Sequence, residues 1–139
     1  MPSPLTITAA NVTLVSGAQS TGVAATALTP GMPVYQDSSN SNRWTKCDAD
    51  ATGKDACTGV TLTTADAAGQ PIVVATTAGT VIGFGAILTV AEGYFVGSTA
   101  GLINPTADIT TNWKPCLIGW GITTSNMQLV LSASGVAHA

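Results

Sequence analysis

The chain repeats itself, and that repeat constrains its fold more than any other feature. Leu28-Thr29-Pro30-Gly31-Met32-Pro33-Val34-Tyr35 is echoed about 60 residues later by Leu88-Thr89-Val90-Ala91-Glu92-Gly93-Tyr94-Phe95-Val96. Lys54–Thr64 (KDACTGVTLTT) is echoed by Lys114–Thr124 (KPCLIGWGITT), and Gln70–Ala75 by Met127–Ser132. Ile7–Ala10 leading into Gly22–Thr29 likewise resembles Ile72–Ala75 leading into Ile82–Thr89. A unit this short cannot bury a face alone, so two copies are expected to close on one shared core. This predicts one domain over 1–139, with halves at about 5–76 and 77–133 and tails at 1–4 and 134–139. The equivalent hairpins around 36–55 and 97–113 then form a pair of projecting features.

The local grammar within each copy is β. Thr and Val are abundant, and the residues that fill exposed helix faces are scarce. Glycines fall at short intervals where turns are expected. Strands are predicted at Leu5–Ala9, Asn11–Ser16, Gly31–Gln36, Arg43–Cys47, Ala56–Thr63, Pro71–Thr76, Thr80–Phe84, Gly93–Val96, Leu102–Asn104, Lys114–Ile122 and Met127–Ala133. Asp48–Asp55 reads as a loop or a turn of helix, and Thr64–Gly69 as a tight corner. The fold class is all-β, a single compact β-barrel or sandwich domain built from two homologous halves.

Charge excludes several functions. The chain carries 4 Lys+Arg, 7 Asp+Glu and one histidine, and 8% of it is charged, against about 25% in an average soluble domain. Four scattered basic residues and a net charge of −3 supply no footprint for nucleic acid. No apolar run is long enough for a transmembrane helix, and Met1-Pro2-Ser3-Pro4 lacks the pattern of a secretory signal. His138 is the penultimate residue, a poor place for a catalytic base or a metal ligand. Asp48, Asp50 and Asp55 form an acidic cluster, but it is too short for a calcium loop, and Lys54 sits within it. Cys47, Cys57 and Cys116 form no C-x-x-C pair and read as buried, reduced thiols. Gly83-Phe84-Gly85 and Gly119-Trp120-Gly121 precede no helix, so neither reads as a phosphate loop. No catalytic residue, metal ligand or cofactor is assigned, and the chain is not expected to be an enzyme.

The order L-T-x-G-x-P-V-Y (Leu28 to Tyr35), then G-V-x-L (within Thr58 to Leu62), a small-residue corner and Q-P-I-V-V-A (Gln70 to Ala75), with its second copy, resembles a known family. That family is the cement, or head-decoration, proteins of tailed bacteriophages, in particular their two-repeat Ala/Gly/Thr-rich group. The resemblance runs from about residue 5 to 133. It implies a structural virion protein, made in the host cytoplasm, that binds the outer surface of the capsid. Its implied partners are the major capsid protein and itself, commonly as a homotrimer, with no nucleic acid and no membrane. The hairpin Gln36–Lys46, long and Ser/Asn-rich, departs from the family pattern and reads as either a contact arm or a solvent-facing ornament.

Six residues are candidate interface groups. Pro2, Pro4 and Leu5 lie in an extended, uncharged N-terminal segment that reads as either an arm for a neighbour's sheet edge or a disordered leader. Trp44 and Trp113 sit beside polar hairpins, either as interface anchors or as rings folded back over their own hairpins. Tyr94 joins these two in a second functional reading, a carbohydrate- or receptor-binding β-domain of a phage or surface fibre. Trp120, in the apolar run Leu117–Ile122, is expected in the core.

Overall fold

The computed structural model describes residues 4–49, 56–97, 99–105, 108–109 and 116–133. Among the described residues eleven strands carry the fold: β1 (Thr13–Ser16), β2 (Ser20–Val23), β3 (Pro33–Asp37), β4 (Arg43–Lys46), β5 (Gly59–Thr61), β6 (Pro71–Ala75), β7 (Val81–Gly83), β8 (Gly93–Val96), β9 (Ile103–Pro105), β10 (Cys116–Gly121) and β11 (Asn126–Ala133). They form a sandwich of a six-stranded sheet, β1-β7-β11-β10-β8-β9, and a five-stranded sheet, β2-β6-β5-β3-β4. Every strand pairing is antiparallel, and neither sheet closes into a barrel.

The repeat is written into this topology. Setting β2 to β6 on β7 to β11 reproduces one strand order in both sheets. Pro33 pairs with Val60 and Val34 with Gly59; Gly93 pairs with Trp120 and Tyr94 with Gly119, the same register about 60 residues on. Cys57-Thr58-Gly59 in the first copy faces Cys116-Leu117-Ile118-Gly119 in the second, one residue longer, and the extra residue is taken up as a β-bulge between Leu117 and Gly119. The match of Gln70–Ala75 to Met127–Ser132 is corrected by the register. Thr61 pairs with Val74 and Gly121 with Met127, so Val74 corresponds to Met127 rather than Leu131. The short turn between β10 and β11 causes the shift. β1 adds a further crossing: it lies in the first half of the sequence yet pairs with β7, tying that half into the other sheet.

One expected strand is absent, and one strand present was not expected. Leu5–Ala9 is not a strand: Leu5 donates one backbone hydrogen bond, to Ile103 at 2.8 Å, and a 3-10 turn at Ala9–Asn11 then redirects the chain. β2 was not anticipated, because Ser20-Thr21-Gly22-Val23 is turn-like by composition; it is a strand because all four residues pair with β6.

Two cores result. Between the sheets, Cys47, Cys57, Val60 and Ala75 meet Ile82, Phe84, Val96, Ile103, Ile118, Met127 and Leu129. Each fully buried Ile, Leu, Phe or Met there contributes about 1.5–3 kcal/mol. The second core lies on the other face of the five-stranded sheet, where Val34, Trp44, Ile72 and Val74 are covered by Ala24, Leu28 and Ala65. Here the sheet curls until its edges touch at one point, with an Ala24–Trp44 bridge and an Ala25 N–H to Trp44 C=O bond of 2.8 Å. The indole of Trp44 fits because Gly22 lies beneath it; a Cβ there would fall on Nε1 and Cδ1. Trp44 is 5% exposed.

Thr80 is buried, and among the described residues its hydroxyl is the buried side-chain oxygen without a hydrogen-bond partner. Thr80→Val removes the unmet group at nearly constant shape, so thermal or chemical unfolding should show stability unchanged or raised by about 1 kcal/mol.

The three cysteines are buried and unpaired by disulfides. The repeat-equivalent pair touches: the Cys57 N–H donates to Cys116 Sγ at 3.2 Å, and the Cys57 thiol donates to the Gly59 carbonyl at 3.0 Å. Burial pushes the Cys57 thiol well above its ordinary value of 9.0. The folded chain therefore holds this proton more tightly than the unfolded chain. That contribution is full below pH 9.0 and is lost as pH rises through the folded-state value. Unfolding midpoints should fall on the alkaline side. A thiol-reactive dye should leave all three cysteines unlabelled in the native chain and label all three in denaturant.

Candidate functional site

The outer face of the six-stranded sheet carries the largest exposed aromatic among the described residues. In a regular strand Ile118 and Trp120 would share a face; the bulge between Leu117 and Gly119 separates them. Ile118 enters the core, while Trp120 turns out at 50% exposed. This corrects the expectation that Trp120 is a core residue: apolar neighbours in sequence do not decide burial when a bulge resets the face. Trp120 pairs with Gly93 and Gln128, and its indole N–H donates to Gln128 Oε1 at 3.3 Å. Leu117 pairs with Phe95 on the same face, and both are half-buried. Ile122, two residues beyond Trp120, is also exposed. None of the six strands contains a charged residue.

The other sheet shows that this face is unusual. By register the counterpart of Trp120 is Val60, which is wholly buried between the sheets. The same side of the repeated sheet is thus covered in the first copy and open in the second.

A cleft of about 700 Å³ opens at one end of the five-stranded sheet. It is lined by the start of β2 (Ser20, Thr21), the end of β3 (Tyr35, Gln36), Asn42 and Trp44 of the β3–β4 hairpin, and Ala56, Thr58 and Thr76. These meet because the antiparallel order brings alternate strand beginnings and ends together. Gln36 Nε2 donates to the Asn42 carbonyl at 3.3 Å across the hairpin. Asp37 caps the following 3-10 turn, accepting from the Ser39 N–H at 3.0 Å and the Ser39 hydroxyl at 2.6 Å. This turn and the left-handed Ser41 and Asn42 fold the Ser/Asn-rich hairpin tightly back on itself. The Tyr35 phenol titrates above its ordinary 10.0, first through burial and then through the nearby Asp37 carboxylate, so it stays neutral and able to donate. Among the described residues no charged side chain lines the cleft.

The sequence-predicted interface residues do not converge. Trp44 and Tyr94 are buried, Tyr94 with its hydroxyl accepting from the Thr89 N–H at 2.8 Å. Neither ring is available to a partner in this chain. Both sit on strand faces turned to a core, which their polar sequence neighbours do not reveal. Pro4 and Leu5 are half-buried, and Leu5 packs against the inter-sheet core. Pro2 and Trp113 lie outside the described residues, as do Asp50, Lys54, Asp55 and His138. Among the described residues no group of three or more His, Cys, Asp or Glu forms a metal site, and no helix is long and apolar enough to cross a membrane. Two groups escaped sequence reasoning: Trp120 as an exposed residue, and the cleft. The signal for the first was the extra residue between Cys116 and Gly119; for the second, a position-by-position comparison of the two copies.

No family model matches the chain, and no curated protein matches it.

Proposed function

We propose that the chain is a structural virion protein that binds the outside of a phage capsid and holds neighbouring capsomers together. The observation that carries this reading is the outer face of the six-stranded sheet, whose strands contain no charged residue, with Trp120 half exposed where the equivalent Val60 is covered. An exposed Trp120 on the face that also carries the half-buried Leu117 and Phe95 is apolar surface that a partner can cover. An aromatic at its centre is the residue type that anchors protein interfaces. The sparse charge fits the same role, because few ions need desolvation on docking. The resemblance to cement proteins, carried by Leu28–Tyr35, Thr58–Leu62, Gln70–Ala75 and their second copies, supplies the partner: the major capsid protein, with the chain acting as a homotrimer. Many copies on one lattice make modest contacts effective through multivalency. Co-sedimentation with expanded, undecorated phage capsids tests the reading. The protein should pellet with capsids in saturable amounts and raise their disruption temperature, and light scattering should report three chains per free particle. Protein that stays in the supernatant at every capsid concentration refutes it.

A further inference from the structure

The repeat makes the cleft informative, because the second copy shows what the same positions look like when they serve packing alone. Ser20 pairs with Val74, and Ile82 pairs with Met127, the counterpart of Val74. Gln36 pairs with Trp44 as Val96 does with Ile103. Thr76 lies two residues past Val74, as Leu129 lies two past Met127. Ser20, Gln36, Trp44 and Thr76 of the cleft thus stand where the second copy has Ile82, Val96, Ile103 and Leu129, all buried in the core. One end of a repeated sheet is filled with aliphatic side chains. Its counterpart is open and lined by hydroxyls and amides.

The donors and acceptors of that lining are largely unused. Gln36 gives one amide hydrogen to the Asn42 carbonyl. Among the described residues the side chains of Ser20, Thr21, Tyr35, Thr58 and Thr76 make no hydrogen bond within the chain. Hydroxyls and carboxamides each offer both donor and acceptor sites, the pattern needed by a ligand whose own groups are hydroxyls. Among the described residues the lining carries no charge, which favours an uncharged ligand over an anion or a cation. β2 and β4 are the edge strands of the sheet, but the lining is mostly hydroxyls and carboxamides, which suit a sugar's hydroxyls better than the side chains of an added peptide strand.

We propose that this cleft is a binding site for an uncharged saccharide, with Gln36, Asn42, Ser20 and Thr76 as hydrogen-bonding groups and Tyr35 as the aromatic wall. The site lies on the five-stranded sheet and does not depend on the capsid reading, which rests on the six-stranded one. The test uses the full chain on an array of uncharged, sialylated and sulfated oligosaccharides alongside a peptide array, followed by saturation-transfer NMR with the strongest uncharged oligosaccharide. The expected result is binding to uncharged members with transfer to ring protons. Gln36→Val and Thr76→Leu import the second copy's residues, and each should weaken binding about tenfold or more. Trp120→Ala on the far sheet should leave it unchanged. The native circular dichroism spectrum shows whether the variants fold, and Gln36→Ala gives a smaller truncation at the same position. Silence toward uncharged sugars at millimolar concentration overturns the proposal. So does selectivity for charged sugars or peptides, or binding indifferent to the substitutions at Gln36 and Thr76 in folded chains.

Discussion

Trp44→Ala should destabilise the free chain by about 3–5 kcal/mol, the cost of removing a large aromatic from a packed interior. Urea unfolding followed by far-ultraviolet circular dichroism measures it. Small domains hold about 5–15 kcal/mol in total, so the variant should be marginal at physiological temperature. The reason lies in the second core. The indole sits over Gly22, packs with Val34, Ile72 and Val74, and belongs to the residue whose carbonyl closes the curl by accepting from the Ala25 N–H. Gly22→Val should produce a loss of the same kind from the opposite side, because its side chain needs the space the indole fills. A surface anchor behaves differently: its truncation would leave the free chain within about 0.5 kcal/mol of the parent. The comparison therefore separates a core tryptophan from an interface tryptophan without any partner present.

Trp120→Asp should show the opposite pattern. Its ring is half exposed and its one side-chain hydrogen bond is to Gln128 at the surface, so the free chain should lose no more than about 1 kcal/mol. Capsid binding should weaken about thirtyfold or more, since an aromatic at the centre of a desolvated patch contributes about 2 kcal/mol or more. Equilibrium co-sedimentation across a range of protein concentrations reads this directly. Leu117→Asp, beside Phe95 on the same face, should act in the same direction. A charged substitution at Val23, exposed on the other sheet, should not.

These two tryptophans also show what the sequence discloses and where it stops. Strands are visible as Thr/Val runs between glycines, and β8 at Gly93–Val96 is found to the residue. The duplication is visible as an offset and reappears as register, Pro33–Val60 against Gly93–Trp120. Orientation is another matter. Trp44 has polar neighbours and is buried; Trp120 has apolar neighbours and is exposed. In a strand a side chain's face depends on parity, and one inserted residue inverts it. The insertion between Cys116 and Gly119 is legible, but its consequence depends on which partner strand absorbs it. Ser20-Thr21-Gly22-Val23 was unreadable for a related reason, since pairing with β6 rather than local preference makes it a strand. The cleft is assembled from five separate segments and appears only once the register aligns them.

The most direct test of the central claim is an electron cryo-microscopy reconstruction of expanded, undecorated phage capsids incubated with the purified protein. The account predicts discrete added density on the outer lattice between capsomers, with the Trp120-bearing sheet turned toward the shell. A lattice that stays bare at saturating protein, or density that presents this sheet to solvent, would contradict it.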